Sequence, residues 1–309
     1  MIASMDYAGG LQISADDGVP VMAQRLLRQA AVEVTPGDYR GLDSIKRLLG
    51  RGSRVYIASV GRHGHDQTIS TANRLSHDGF VPIPHIAARR LGSKDELGNL
   101  LRALRPLTDE VLLIGGDLAK PVGPFVGAAD LLKSGVLVDC AFRRVGIAGY
   151  PEGHKVIDNG ALAQALTEKL ALARSSNLEI YIVSQFCFDA SAIAGWERRI
   201  RQFIGGSIEV HIGIPGVTAL GKLLRFATLC GAGASVRFLR RNAYHMARLA
   251  TAWLPDALVI DISRFVQSDP ECQISQFHLF PFGGVDASLR WLKAAQSGFL
   301  DVAVDQARN

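Results

Sequence analysis

Residues Arg144-Val145-Gly146-Ile147-Ala148-Gly149-Tyr150-Pro151-Glu152-Gly153-His154 open the stretch that decides the fold, which runs on through Leu162–Arg174 to Glu179-Ile180-Tyr181-Ile182-Val183-Ser184. A short apolar run stops at a turn rich in glycine and proline. Apolar residues then recur at spacings of three and four, and a second β-branched run follows. That order predicts a strand, a crossover helix and a parallel strand. The same unit recurs along the chain, with strands predicted at Ala31–Thr35, Arg54–Val60, Phe80–His85, Glu110–Ile114, Arg144–Ala148, Glu179–Ser184, Ile208–Ile212 and Ile274–Phe280. Helices are predicted at Leu42–Leu49, Lys94–Leu104, Leu162–Arg174, Ala190–Phe203 and Val217–Cys230. Ser93 before Lys94-Asp95-Glu96 supplies a helix N-cap, and Asp189 is expected to do the same for the helix from Ala190.

Eight β–α units without a linker favour a closed (β/α)8 barrel (a TIM barrel) over an open sheet. No G-x-G-x-x-G follows the first strand, so the dinucleotide-binding turn of a Rossmann fold is missing. Gly231-Ala232-Gly233-Ala234 follows a helix and reads as a helix stop. Residues 1–20 carry little periodicity and are expected to form an N-terminal arm or an extra helix start, with the barrel domain spanning 21–309.

Of the 309 residues, 48% are hydrophobic and 20% charged, which suits a chain that buries a large core. The net charge of +5 is dispersed, and its densest clusters, at 198–201 and 237–241, lie on amphipathic helices. No nucleic-acid partner is expected. No stretch is long and apolar enough to suggest a membrane span, and the start lacks a leader, so a cytoplasmic protein is expected. Cys140, Cys187, Cys230 and Cys272 lie far apart and read as free thiols. Homo-oligomerisation is allowed and is not decided by the sequence.

Catalytic groups of this barrel type gather at the carboxyl ends of the strands, and that rule singles out Glu33, His85, Asp117, Tyr150, Glu152, His154, Gln185, Asp189 and His278. Glu33 alternates with valines in the first strand, so it is expected to face the interior with its carboxyl raised by desolvation, as suits a general acid. The alternative is a structural carboxylate paired with an arginine. Asp117 follows Gly115-Gly116, where the backbone admits a flat ligand; otherwise it caps the next helix. Tyr150 and His154 share one rigid loop suited to a ring system and its sugar or phosphate. Gln185 and Phe188 follow the sixth strand, where an amide and aromatics suit a heteroaromatic ligand. His63, His65 and Asp66 imitate a metal site but lack a clear third ligand, so no metal is expected and a metal-dependent lyase is disfavoured.

Taken in series, these segments resemble the methylenetetrahydrofolate reductase family. Val32-Glu33-Val34-Thr35-Pro36 is similar to its first-strand Phe-Glu-Phe-x-Pro, Pro84-His85-Ile86 to Pro-His-Leu-Thr, and Gly116-Asp117 to Arg-Gly-Asp. Ala148 to His154 resembles Ala-x-Tyr-Pro-Glu-x-His, Ser184 to Asp189 resembles Thr-Gln-Phe-Phe-Phe-Asp, and Pro215-Gly216 resembles the Pro-Gly-Ile stretch. The resemblance implies a barrel flavoprotein that interconverts 5,10-methylenetetrahydrofolate and 5-methyltetrahydrofolate, with FAD as cofactor and NAD(P)H as reductant. It makes Glu33 the acid, places Asp117 against flavin and folate, and gives Gln185 and Phe188 to the folate substrate. His85, Gly116, Asp117, Ala148, Tyr150 and His154 fall to FAD, with Lys169 or Arg174 meeting its phosphates. The chain departs from the family at Gly115, where an arginine is usual, and at Gly283-Gly284, where a basic residue is usual. A flavin-poor or catalytically silent barrel that binds folate is the alternative.

Overall fold

The computed structural model describes residues 18–61, 63–205, 208–229, 252–298 and 300. The helix stop at 231–234, the basic cluster at 237–241 and Cys230 lie outside these residues, as does most of the expected N-terminal arm.

Eight parallel strands close into a barrel: β1 (Ala31–Val34), β2 (Arg54–Ile57), β3 (Val81–Ala87), β4 (Glu110–Ile114), β5 (Arg144–Gly149), β6 (Glu179–Ser184), β7 (Val210–Pro215) and β8 (Ile274–Phe280). Each pairs with its sequence neighbour, and β8 returns to β1 through Ala31↔His278 and Val32↔Leu279. The fold is the (β/α)8 barrel that the sequence predicts.

Helix α1 (Val19–Arg28) begins inside the expected arm and buries Ala23, Leu26 and Leu27 against later elements. Then come α2 (Tyr39–Leu48), α3 (His65–His77), α4 (Lys94–Leu104), α5 (Ala128–Lys133), α6 (Val136–Asp139), α7 (Asn159–Ser175), α8 (Ala190–Ile204) and α9 (Leu220–Leu229). Helices α10 (Asp256–Ser268) and α11 (Val285–Gln296) flank β8, and Thr218–Ala219 pairs antiparallel with Ala252–Trp253. Both expected caps are present: the Ser93 hydroxyl accepts from the Glu96 N–H at 3.1 Å, and the Asp189 carboxylate accepts from Ser191 and Ala192. On α8 the exposed Arg198 pairs with Asp269, while Arg201, mostly buried, pairs with Asp269 and the buried Glu197, so the basic run there is only partly a solvated face. No helix among the described residues is long and apolar enough to cross a membrane.

Strand alternation divides the side chains between two cores. Outward-facing residues such as Val32, Val55, Val111, Val145 and Ile182 pack under the helices, while Ala31, Tyr56, Ile83, Leu112, Tyr181 and Val183 fill the barrel. At the amino end Arg54 donates to Glu110 at 3.1 Å. Arg144 meets Glu110, Glu179 and Glu209, and its guanidinium lies over the Tyr181 ring at 4.6 Å. The Tyr56 and Tyr181 hydroxyls meet at 3.2 Å across the axis. Gly146 makes room for this crossing, since a Cβ there would stand 2.7 Å from the Tyr181 ring. The amino end is thereby plugged, leaving the carboxyl end to carry a site.

Candidate active site

Glu33 points inward near the carboxyl end of β1 and is flanked by two imidazoles. Its Oε2 lies 3.4 Å from His278 Nε2 on β8 and 3.6 Å from His85 Nε2 on β3. The side chain of Glu33 is 17% exposed and that of His278 is 0% exposed, so the carboxylate is the member that reaches the mouth. Tyr56 underlies the group, its ring 4.4 Å from that of His278, and Phe280 lies 4.5 Å from His278 on the other side.

This environment overturns the expectation of a raised Glu33 pKa. Burial pushes the carboxyl up, but the contact with His278 and the attraction of the two facing imidazoles outweigh it and hold it below the ordinary carboxylate value. The partner of Glu33 is likewise a pair of histidines rather than an arginine. Burial lowers His85 to about 4, against the pull of Glu33, so its imidazole is neutral near pH 7.

Beyond β3 the chain makes a short 3-10 turn, Ala88–Arg90, and Arg90 bridges the segments that follow β2 and β4 on either side. Arg90 donates to Asp117 Oδ1 from Nε at 3.1 Å and from Nη2 at 2.7 Å, and Nη1 donates to the Gly61 carbonyl at 2.6 Å. Asp117 therefore neither caps a helix nor stands as an isolated charge. Gly116 before it takes φ +93°, a left-handed conformation suited to glycine. A Cβ on Gly115 would meet nothing within 4 Å, so open space lies in front of this strand end.

Ala148 ends the inward row of β5. The Tyr150 and His154 rings that follow meet edge to face at 5.2 Å, and burial raises Tyr150 and lowers His154. In the same loop Glu152 accepts from the Cys187 thiol at 3.2 Å, and burial pushes that thiol up. Gln185 leaves β6 with Oε1 accepting from the Phe186 N–H at 3.1 Å, so its amide nitrogen is the group left to meet a ligand. Phe188 is placed differently from the expectation: it is 3% exposed, packed edge to face against Phe186 and Trp253, and belongs to the core beneath the mouth.

Helix α7 runs away from the mouth, and this separates the two expected phosphate ligands. Arg174, at its far end, donates to the Ile204 and Gly205 carbonyls, with the second contact at 2.9 Å, and so caps the carboxyl terminus of α8. Its guanidinium thus serves as a structural cap. Lys169 lies about 15 Å down α7 from Asn159 by helical rise. It makes no hydrogen bond or ion pair among the described residues, and burial lowers its ammonium to about 8.

His63 meets Gln67 at 2.6 Å and His65 meets Glu96 at 3.4 Å. Among the described residues no group of three such side chains has the spacing to hold a metal. A cavity of about 220 Å³ lies beside them, lined by Ser59, Thr68, His85 and Arg90 among others.

No family model matches the chain. The chain is similar to two solved structures, 3-dehydroquinate dehydratase from Aquifex aeolicus VF5 and a protein assigned as a deoxyribose-phosphate aldolase from Toxoplasma gondii ME49. The first is 12% identical with a TM-score of 0.38, covering 65% of this chain and 84% of its own. The second is 9% identical with a TM-score of 0.43, covering 91% of this chain and 98% of its own.

The strand-end rule thus places Glu33, His85, Asp117, Ala148, Tyr150 and Gln185 at the carboxyl end of one barrel. Two site residues carried no assigned role in the sequence. His278 reads in the sequence only as a polar strand end, although Gln276, His278 and Phe280 alternate as an inward row. Arg90 gave no signal, because its partner lies on another strand.

Proposed function

We propose that this chain is a flavin-dependent oxidoreductase of the methylenetetrahydrofolate reductase type, acting on a reduced folate with NAD(P)H as reductant. The observation that carries the reading is Glu33, a carboxylate held between two imidazoles at the open end of a plugged barrel. It can pass a proton to a ring nitrogen placed in the mouth.

The residues present fit FAD. The open space at Gly115, the left-handed Gly116 and the small Ala148 leave room for a flat ring beside Tyr150 and His154. His85, Asp117 and Arg90 would border the ring, and Lys169, which makes no hydrogen bond or ion pair among the described residues, would meet a phosphate. When bound, FAD would supply hydride transfer between NAD(P)H and the folate. The chain's own part is to orient the two ligands and manage the proton. Gln185 would donate its amide to the folate ring edge, Asp117 would face developing positive charge with its own charge tempered by Arg90, and Glu33 would serve the ring nitrogen. The capping role of Arg174 removes one expected cation and favours the flavin-poor alternative as the second reading.

Titration of the purified protein with FAD should quench flavin fluorescence and raise Tm. NAD(P)H should then bleach the 450 nm region, and methylenetetrahydrofolate should restore it. If FAD leaves fluorescence and Tm unchanged while folate alone raises Tm, the flavin-poor alternative replaces this reading; if neither ligand binds, both fail.

A further inference from the structure

A general acid must carry a proton at working pH, yet the surroundings of Glu33 favour its ionised form. The proton therefore has to rest on a neighbour. Among the described residues, the titratable groups facing Glu33 across the barrel are His85 from β3, Tyr56 from β2 and His278 from β8. The Tyr56 hydroxyl is engaged with Tyr181 one layer below, and burial pushes it far up. His85 is neutral near pH 7. Below His278, His211 on β7 is occupied by Glu209 at 3.2 Å, and Arg144 is tied to three carboxylates. β7 offers Gly213 beside His278, which brings no charge.

We propose that His278 is the proton-supplying partner of Glu33, a positioning residue that acts on the substrate only through that carboxylate. The proton leaves His278 Nε2 for Glu33 Oε2 and passes from that carboxylate to the ligand. The carboxylate ends as it began, and the imidazole ends neutral, to be recharged through Glu33, the member that reaches the mouth. An imidazole suits this work because its ring nitrogens can each carry or release a proton. The wholly buried His278 is screened from direct contact with the ligand, while Tyr56 and Phe280 fix the plane of its ring. What receives the proton rests on the oxidoreductase reading; where the proton is held does not.

The test has two arms. Imidazole NMR of the intact protein, with His278 assigned through its contacts to the Tyr56 and Phe280 rings, gives the pH at which it titrates. Glu33→Gln should move that titration to lower pH by removing the anion that favours the imidazolium. Stopped-flow of the folate half-reaction on flavin-loaded protein gives the pH profile of the rate. It should fall with rising pH along the His278 titration curve. In His278→Asn that limb should vanish and the rate at pH 7 should drop by roughly tenfold or more, with flavin reduction by NAD(P)H intact. A rate profile that does not follow the imidazole, or one unchanged in His278→Asn, overturns the proposal. If wild-type protein turns over no folate, the oxidoreductase reading is what fails. The NMR arm then decides alone: an unmoved His278 titration in Glu33→Gln means the two groups share no proton. That arm needs no His278 variant, so it stands even if His278→Asn does not fold.

Discussion

Glu33 shows how a single carboxyl is set by what faces it across a barrel. Burial alone would make it a weak acid, but two imidazoles within 3.6 Å reverse the sign. Replacing it with glutamine keeps the shape and removes the proton relay. Folate reduction in Glu33→Gln should therefore fall by roughly a hundredfold or more, while flavin reduction by NAD(P)H survives, each half-reaction being followed separately by stopped-flow absorbance. Equal slowing of both, or of neither, would make Glu33 structural. The position of Glu33 was legible in the sequence because alternation with valines in a strand ending at Pro36 forces it inward. Its protonation was not, because His85 and His278 lie 52 and 245 positions away and strand spacing does not say which residues meet across the barrel. Arg90 escaped for the same reason, since its partner Asp117 stands at the end of the next strand.

At the level of elements, all eight strands were legible as apolar runs, and β4, β6 and β8 have the predicted bounds. Helix faces were equally plain, but how far down a helix a residue sits relative to the mouth was not, and α7 turns on that distance. Arg174 at its far end satisfies the last carbonyls of α8, a contact worth about 0.3–1 kcal/mol at a helix carboxyl terminus. Arg174→Ala should lower Tm by a few degrees and leave FAD affinity unchanged. Lys169→Met should do the opposite. Burial disfavours its ammonium, so an apolar side chain should raise Tm, while the loss of the cation assigned to a phosphate should weaken FAD binding by roughly tenfold. Thermal melts with and without FAD read both variants at once. If Arg174→Ala loses FAD and Lys169→Met does not, the two assignments are exchanged.

The whole barrel carries a pH dependence written into its interior. His85 near the open end and His211 near the plugged end are both held neutral by burial, each at about 4 against an ordinary value near 6.5. The unfolded chain takes up protons at both sites as pH falls through 6.5, while the folded chain resists until about 4. Stability is therefore fully present above about 6.5 and is lost progressively as pH drops between those values, on the order of 2 kcal/mol for each histidine by pH 5. Glu209 follows in a lower window. The hydrogen bond with His211 and the charge of Arg144 hold it at about 2 despite partial burial, so its contribution is present above about 4.5 and declines below. Urea unfolding at pH 7, 6, 5 and 4 should show stability falling most steeply between pH 6 and 4, ahead of the carboxylate range. His211→Gln keeps a donor toward Glu209 but removes the titrating ring, so about half of that fall should disappear. A profile flat from pH 7 to 4.5, or a His211→Gln profile as steep as the wild type, would show that the interior histidines take up protons without opposing the fold.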